Sequence, residues 1–310
     1  MALDSTFNWI FICVVTFLVL VRIILEQTSR LQEKRVFQFW QRVGLPMGTE
    51  QIHDSLRSRL HRSSMAALVG GIAGALVATS LLVFQEASVV SFTFSWLVAL
   101  PAIFIGLTLS DVVQTLRDTL FGSPSNLPRM ARAHAVTLGD YISPWRLRTA
   151  PLLLLIALFL AAGGLVLGQS GVINMGSFLK GMSLPFLLVA IIVCGICAVA
   201  AKKVLEKSQP VADALELAWD DAVRADTIRK LAQLAVLTAW LASSAIVIAI
   251  LEGLQDGREP MLLVAMGQPL AMVGYSVVVM MFSYGNSYSY FRHRLWPDFT
   301  PYGLASKQGA

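Results

Sequence analysis

The chain has 310 residues, 56% of them hydrophobic and only 14% charged, with a mean hydropathy of +0.67 and a formal net charge of +5. A soluble domain carries about 25% charged residues to cover its surface, so this composition excludes an ordinary water-soluble fold and points to lipid as the solvent. The basic residues lie beside apolar segments rather than interleaved with aromatics on a polar domain, which removes nucleic acid as an expected partner.

A helix needs about 20 mostly apolar residues to cross a bilayer. Seven runs qualify, at 7–25, 65–84, 91–110, 150–168, 182–201, 231–251 and 260–284. The first is preceded by Asp4 and by no Lys or Arg before Arg22. A secretory signal has the opposite charge arrangement, so this run is expected to be a retained anchor helix.

The polar segment 26–64 follows. Thr49 and Glu50, then Ile52, Leu56 and Leu60, predict a helix start, and Arg57, Arg59 and Arg62 occupy its other faces. These three arginines are the expected docking surface for a cytosolic partner or for anionic lipid. The competing expectation is a juxtamembrane helix that merely anchors at the headgroups.

In the second run Gly70 and Gly74 stand one turn apart, and Gly164 and Gly168 do so in the fourth. Such spacing lets helix backbones approach closely, either within the chain or against another subunit. Pro101 in the third run, and Gln268 with Pro269 in the seventh, are expected helix breaks that could line a substrate path. Between the third and fourth runs, residues 122–128 contain two prolines and read as a loop. The stretch Asp140–Tyr141–Ile142–Ser143–Pro144 reads as a helix-start turn ahead of Arg146 and Arg148.

Cys194 and Cys197 in the fifth run have redox spacing, but no basic residue adjoins them to activate a thiolate. They read as small apolar core residues, as does Cys13. Segment 202–230 repeats the earlier pattern after Pro210, with Leu217, Asp221, Arg224, Ile228 and Leu231 among alanines, and both polar helices can run straight into the next span. In segment 285–310 the aromatics Tyr288, Tyr290, Phe291 and Trp296, with Arg292 and Arg294, read as an interfacial belt.

Charge sets the expected orientation. Segment 22–64 has eight Lys or Arg, 111–149 five, 202–230 six and the tail from 285 three; only Lys180 and Arg258 of the 24 fall on the other side. The positive-inside rule then places the N-terminus outside and segments 26–64, 111–149, 202–230 and 285–310 in the cytoplasm. The expected fold is all-α: a single polytopic transmembrane bundle of about seven spans, one anchor helix plus three hairpins, in the cell (inner or plasma) membrane. The Ala-, Val- and Leu-rich spans and the preference for Arg over Lys resemble the composition of proteins from high-GC bacteria.

Within the seven runs Arg22 is the one charged residue. A proton- or sodium-coupled carrier needs a carboxylate near the midplane. The chain also lacks a Gly-x-x-x-x-Gly-Lys loop, a His-Glu-x-x-His pair and a Gly-x-Ser-x-Gly elbow. No cofactor or metal is expected. The expected role is a non-catalytic membrane subunit, with lipid, other membrane chains or a cytosolic ATPase as partners. The alternatives are a permease for an uncharged or amphiphilic substrate, and a membrane enzyme.

Overall fold

The computed structural model describes residues 2–46, 48–84, 99–121, 136–173, 183–207, 209, 213–254, 273–274, 276–282, 288–297 and 299. Among them there are helices and connections and no strand. The helices are α1 (Ala2–Glu26), α2 (Ser29–Val43), α3 (Glu50–Phe84), α4 (Leu100–Phe121), α5 (Leu138–Tyr141), α6 (Pro144–Gln169), α7 (Ser183–Glu206), α8 (Ala214–Gly253) and α9 (Tyr290–Leu295).

Four helices, α3, α6, α7 and α8, are long and apolar enough to cross a membrane; a fifth candidate is the pair α1 and α2, which is bent by 91°. Of the seven expected spans, the third is described only from residue 99 and the seventh only from residue 273. Helices α3 and α8 have 35 and 40 residues. At about 1.5 Å per residue each outruns the roughly 30 Å hydrocarbon core. Each is one continuous helix that runs from a polar first part into an apolar stretch, as the sequence pattern anticipates.

Local chemistry sets the ends. Asp213 caps α8, its Oδ1 accepting the Glu216 backbone N–H at 2.7 Å. Helix α2 stops at Gly44, whose φ of 69° lets its N–H turn back to the Trp40 carbonyl. Thr137 and Asp140 form a capping box on α5, and Pro144 opens α6 at a position where a missing N–H has no helical partner to lose. The α1–α2 corner closes on Glu26, a fully buried carboxylate approached by Arg22 at 3.1 Å and Arg35 at 2.5 Å.

Helix α8 is the hub. Two-thirds of its apolar window is buried (67%), against 22% for α6 and for α7. Alanines at 218, 222, 225, 235, 239 and 242 let its neighbours come close. Bulky side chains on α1, α6 and α7, such as Phe17, Phe159 and Ile192, point outward. That inside-out distribution suits lipid rather than water.

Helices α3 and α4 pair antiparallel through glycine. A Cβ on Gly70 would collide with the Gly106 carbonyl oxygen and Ser110, and one on Gly74 with the Ala102 carbonyl oxygen. Gly106 meets Gly70 in return. Of the fourth-run glycines, Gly164 is buried and Gly168 half-buried, whereas a Cβ on Gly163 would meet nothing within 4 Å.

Gly70→Ala and Gly106→Ala should therefore each lower unfolding stability by about 1–3 kcal/mol, although alanine is the better helix former by about 1 kcal/mol. Gly163→Ala should leave stability unchanged or raise it. Thermal unfolding of the three variants in one detergent checks the contrast.

Candidate functional site

Where the apolar stretches of α3, α4 and α8 meet polar ones, the structure gathers a set of ions, with Asp226 and Arg229 buried and Lys230 and Asp111 half-buried. Helix α8 supplies Asp226, Arg229 and Lys230, three and four residues apart and so on one face. The Lys230 ammonium lies 2.9 Å from Asp111 Oδ1 of α4 and 3.2 Å from Asp226 Oδ2. It also donates toward Ser63 of α3 at 3.0 Å and Thr115 at 3.3 Å. Ser63 is itself hydrogen-bonded to Asp111. Arg229 clamps the other Asp226 oxygen at 2.6 Å, donates to the Phe282 carbonyl at 2.9 Å and lies 4.2 Å over the Tyr288 ring. Two cations answer two carboxylates, so the set is neutral as a whole, which is the condition under which buried charge is tolerated.

A second layer continues along the polar half of α8. Asp221 accepts from Tyr141 at 2.9 Å, from Gln209 at 2.9 Å and from the Trp296 indole at 2.8 Å. Arg224 pairs with Asp220 at 3.3 Å and reaches the Leu205 and Lys207 carbonyls at the end of α7. Burial pulls the Lys207 ammonium below its usual range, against the opposing charge of Asp220; it donates to the Thr119 carbonyl of α4. At α5, burial works against ionisation of Asp140, but hydrogen bonds from Thr137 and the charge of Arg294 hold its carboxyl below the usual range.

Beside the inner network opens a cleft of about 370 Å³, lined by residues of α1, α2, α3, α4 and α8 together with Tyr288. A smaller void of about 30 Å³ lies on its other flank, between Ser63, Thr115, Asp226 and Lys230. That is room for one water among groups able to bind it.

The three arginines expected to dock a partner each sit in a different setting. Arg57 Nε donates to Gln32 at 3.0 Å, Arg62 pairs with Asp118 at 3.3 Å while half-exposed, and Arg59 lines the small void. Pro101 stands in the first turn of α4. Gln268 and Pro269 lie outside the described residues. Cys194 donates weakly to the Ala235 carbonyl at 3.6 Å, and Cys197 is a buried free thiol. No group of three or more metal-ligating side chains occurs among the described residues.

The C-terminal aromatics expected to form a belt make contacts within the fold. Phe291 is fully buried, Trp296 is tied to Asp221, and Tyr288 stacks under Arg229. The sequence signal for the network was present in the spacing Asp220 to Arg224 and Asp226 to Lys230, acid preceding base by one turn. Its partner Asp111 directly follows the third apolar run, and nothing local to it marks it as a partner.

Compared with known proteins, the chain matches no family model, no curated protein and no solved structure.

Breaking the network should be worse than removing it. Asp226→Asn or Lys230→Met alone should cost about 3–5 kcal/mol by stranding a buried charge, and the double variant should recover a large part of that loss. Strict additivity in detergent unfolding measurements would show that the two side chains do not interact. Asp140→Asn should cost up to about 1 kcal/mol at neutral pH. Because the folded carboxyl titrates below its ordinary value of 3.8, its contribution is present above that pH. The gap between the two proteins should shrink as the pH falls below it.

Proposed function

We propose that the protein is a multi-pass membrane subunit with no chemistry of its own, holding seven spans with its N-terminus outside and its polar end in the cytoplasm. The observation that carries this reading is the compensation of the ion network. Asp111, Asp226, Arg229 and Lys230 are spent on one another at the polar end, which is the arrangement of a structural anchor and not of an activated acid, base or nucleophile. The basic excess of the segments at 26–64, 111–149, 202–230 and 285–310 supports the orientation.

The outer face of α6 supports assembly with other membrane chains. Gly163 sits between exposed Phe159 and Val166 with open space where a Cβ would be. Small residues between bulky ones form the kind of hollow into which a neighbouring transmembrane helix packs. A cytosolic partner, such as an ATPase, would meet the half-exposed Arg62 and its neighbours on α3.

Affinity purification of the tagged protein from native membranes in mild detergent, followed by mass spectrometry, should recover other chains in stoichiometric amounts. Recovery of this chain alone would remove the subunit reading. For the topology, Ser55→Cys and Ser170→Cys, in a background without Cys13, Cys194 and Cys197, should react with an impermeant maleimide from opposite faces of the membrane. Reaction from the same face would refute the orientation.

A further inference from the structure

The cleft beside the ion network has the charge, the walls and the height of a phosphate site at a lipid headgroup. Five cations line it: Arg22 of α1, Arg35 and Arg42 of α2, and Arg229 and Lys230 of α8. Three carboxylates answer them, Asp111 and Asp226 in the wall and Glu26 behind Arg22 and Arg35. That leaves a surplus of two positive charges around one concavity. Arg42 is paired with no carboxylate among the described residues. Its guanidinium is held over Tyr288 at 5.2 Å and donates to the phenol oxygen at 3.5 Å, which positions it without neutralising it.

The rest of the wall mixes polar side chains with the apolar Phe39, Leu60, Ala67 and Leu68. The position of the lining residues in their helices sets the height. Arg22 lies near the end of the apolar run of α1, Ala67 and Leu68 lie at the start of that of α3, and Asp111 directly follows that of α4. The cleft thus straddles the boundary between the apolar slab and the polar end. Beyond it, α1 and α3 carry outward-facing Phe17, Leu18, Val69 and Leu76 into the apolar stretch.

We propose that this cleft binds the phosphate of an anionic phospholipid headgroup, with the acyl chains lying on the outer faces of α1 and α3. Arginine forks match phosphate oxygens with paired hydrogen bonds, and basic pockets between spans near the cytoplasmic headgroups suit this chemistry. The inference rests on the membrane-spanning reading above and is independent of the subunit role.

The test uses the full-length protein, purified in mild detergent and offered an equimolar mixture of phosphatidylglycerol, cardiolipin and phosphatidylcholine, with retained lipid read by native mass spectrometry. The two anionic lipids should be retained over phosphatidylcholine. An Arg22→Gln, Arg42→Gln double variant should lose about 10- to 30-fold in that retention, as expected for two headgroup-level charges. The corresponding double Lys variant should keep most of it. Equal retention of phosphatidylcholine by the wild type would overturn the proposal, and that reading does not depend on any variant folding. Equal retention by a Gln variant with wild-type unfolding temperature would overturn it too. If millimolar inorganic phosphate raises the unfolding temperature as much as phosphatidylglycerol does, the site is one for free phosphate and the lipid assignment fails. The cysteine labelling described above separates failure here from failure of the membrane topology.

Discussion

A lysine ammonium with its surroundings taken out of water must find opposite charge or the fold does not close. Lys230 finds it in Asp111 and Asp226, and that requirement brings three helices together. Asp226 comes from the same helix, one turn earlier. Asp111 comes from α4 and reaches only because α4 lies against α3 through Gly70, Gly74 and Gly106 with no side chain between the backbones. Ser63 of α3 completes the ring. A wider α3–α4 spacing would move Asp111 away and leave the ammonium with half its compensation.

The two halves of the bundle are held by different forces. In the apolar half there is little directional bonding to use, because lipid is as good a solvent for Leu and Phe as the protein interior is. Contact there depends on small residues, the alanines of α8 and the glycines of α3 and α4, which maximise backbone approach. In the polar half, where α3 and α8 carry their charged residues, water competes for polar groups and burial of apolar surface returns as a driving force. The polar half accordingly has a dense core of Tyr141, Phe282, Phe291 and Ile228, laced by ion pairs that fix its register. The Asp221 carboxylate, shared by Tyr141, Gln209 and Trp296, joins three chain segments far apart in sequence at one point.

Several features could be read from residues alone. The membrane class follows from 14% charge over 310 residues. The starts of α3 and α8, and their continuity from polar to apolar, follow from local periodicity and caps, which depend on neighbours within a turn or two. The close approach of α3 to another helix was implied by Gly70 and Gly74. The candidate site was legible only in fragments. Asp226 and Lys230 advertised an intrahelical pair, but a base one turn from an acid on a helix is as often a solvated face. Nothing local to Asp111, Ser63 or Tyr288 marks them as its partners.

What the sequence by itself determined is therefore the apolar, helical character of the chain and the alternation of apolar runs with charged segments, since each depends on composition and on contacts within a few residues. Tertiary structure alone decided which helix is central, which basic residues are spent and which are spare, and where the C-terminal aromatics go. Leu-rich α6 and α7 look as buried on paper as α8, yet most of their surface faces outward. Arg229 and Arg42 are alike in sequence, yet one is locked to Asp226 and the other stands free of any carboxylate among the described residues. The reason is physical: the worth of a charge or an aromatic ring is set by its dielectric surroundings and its partners, and many of those come from other helices distant in sequence.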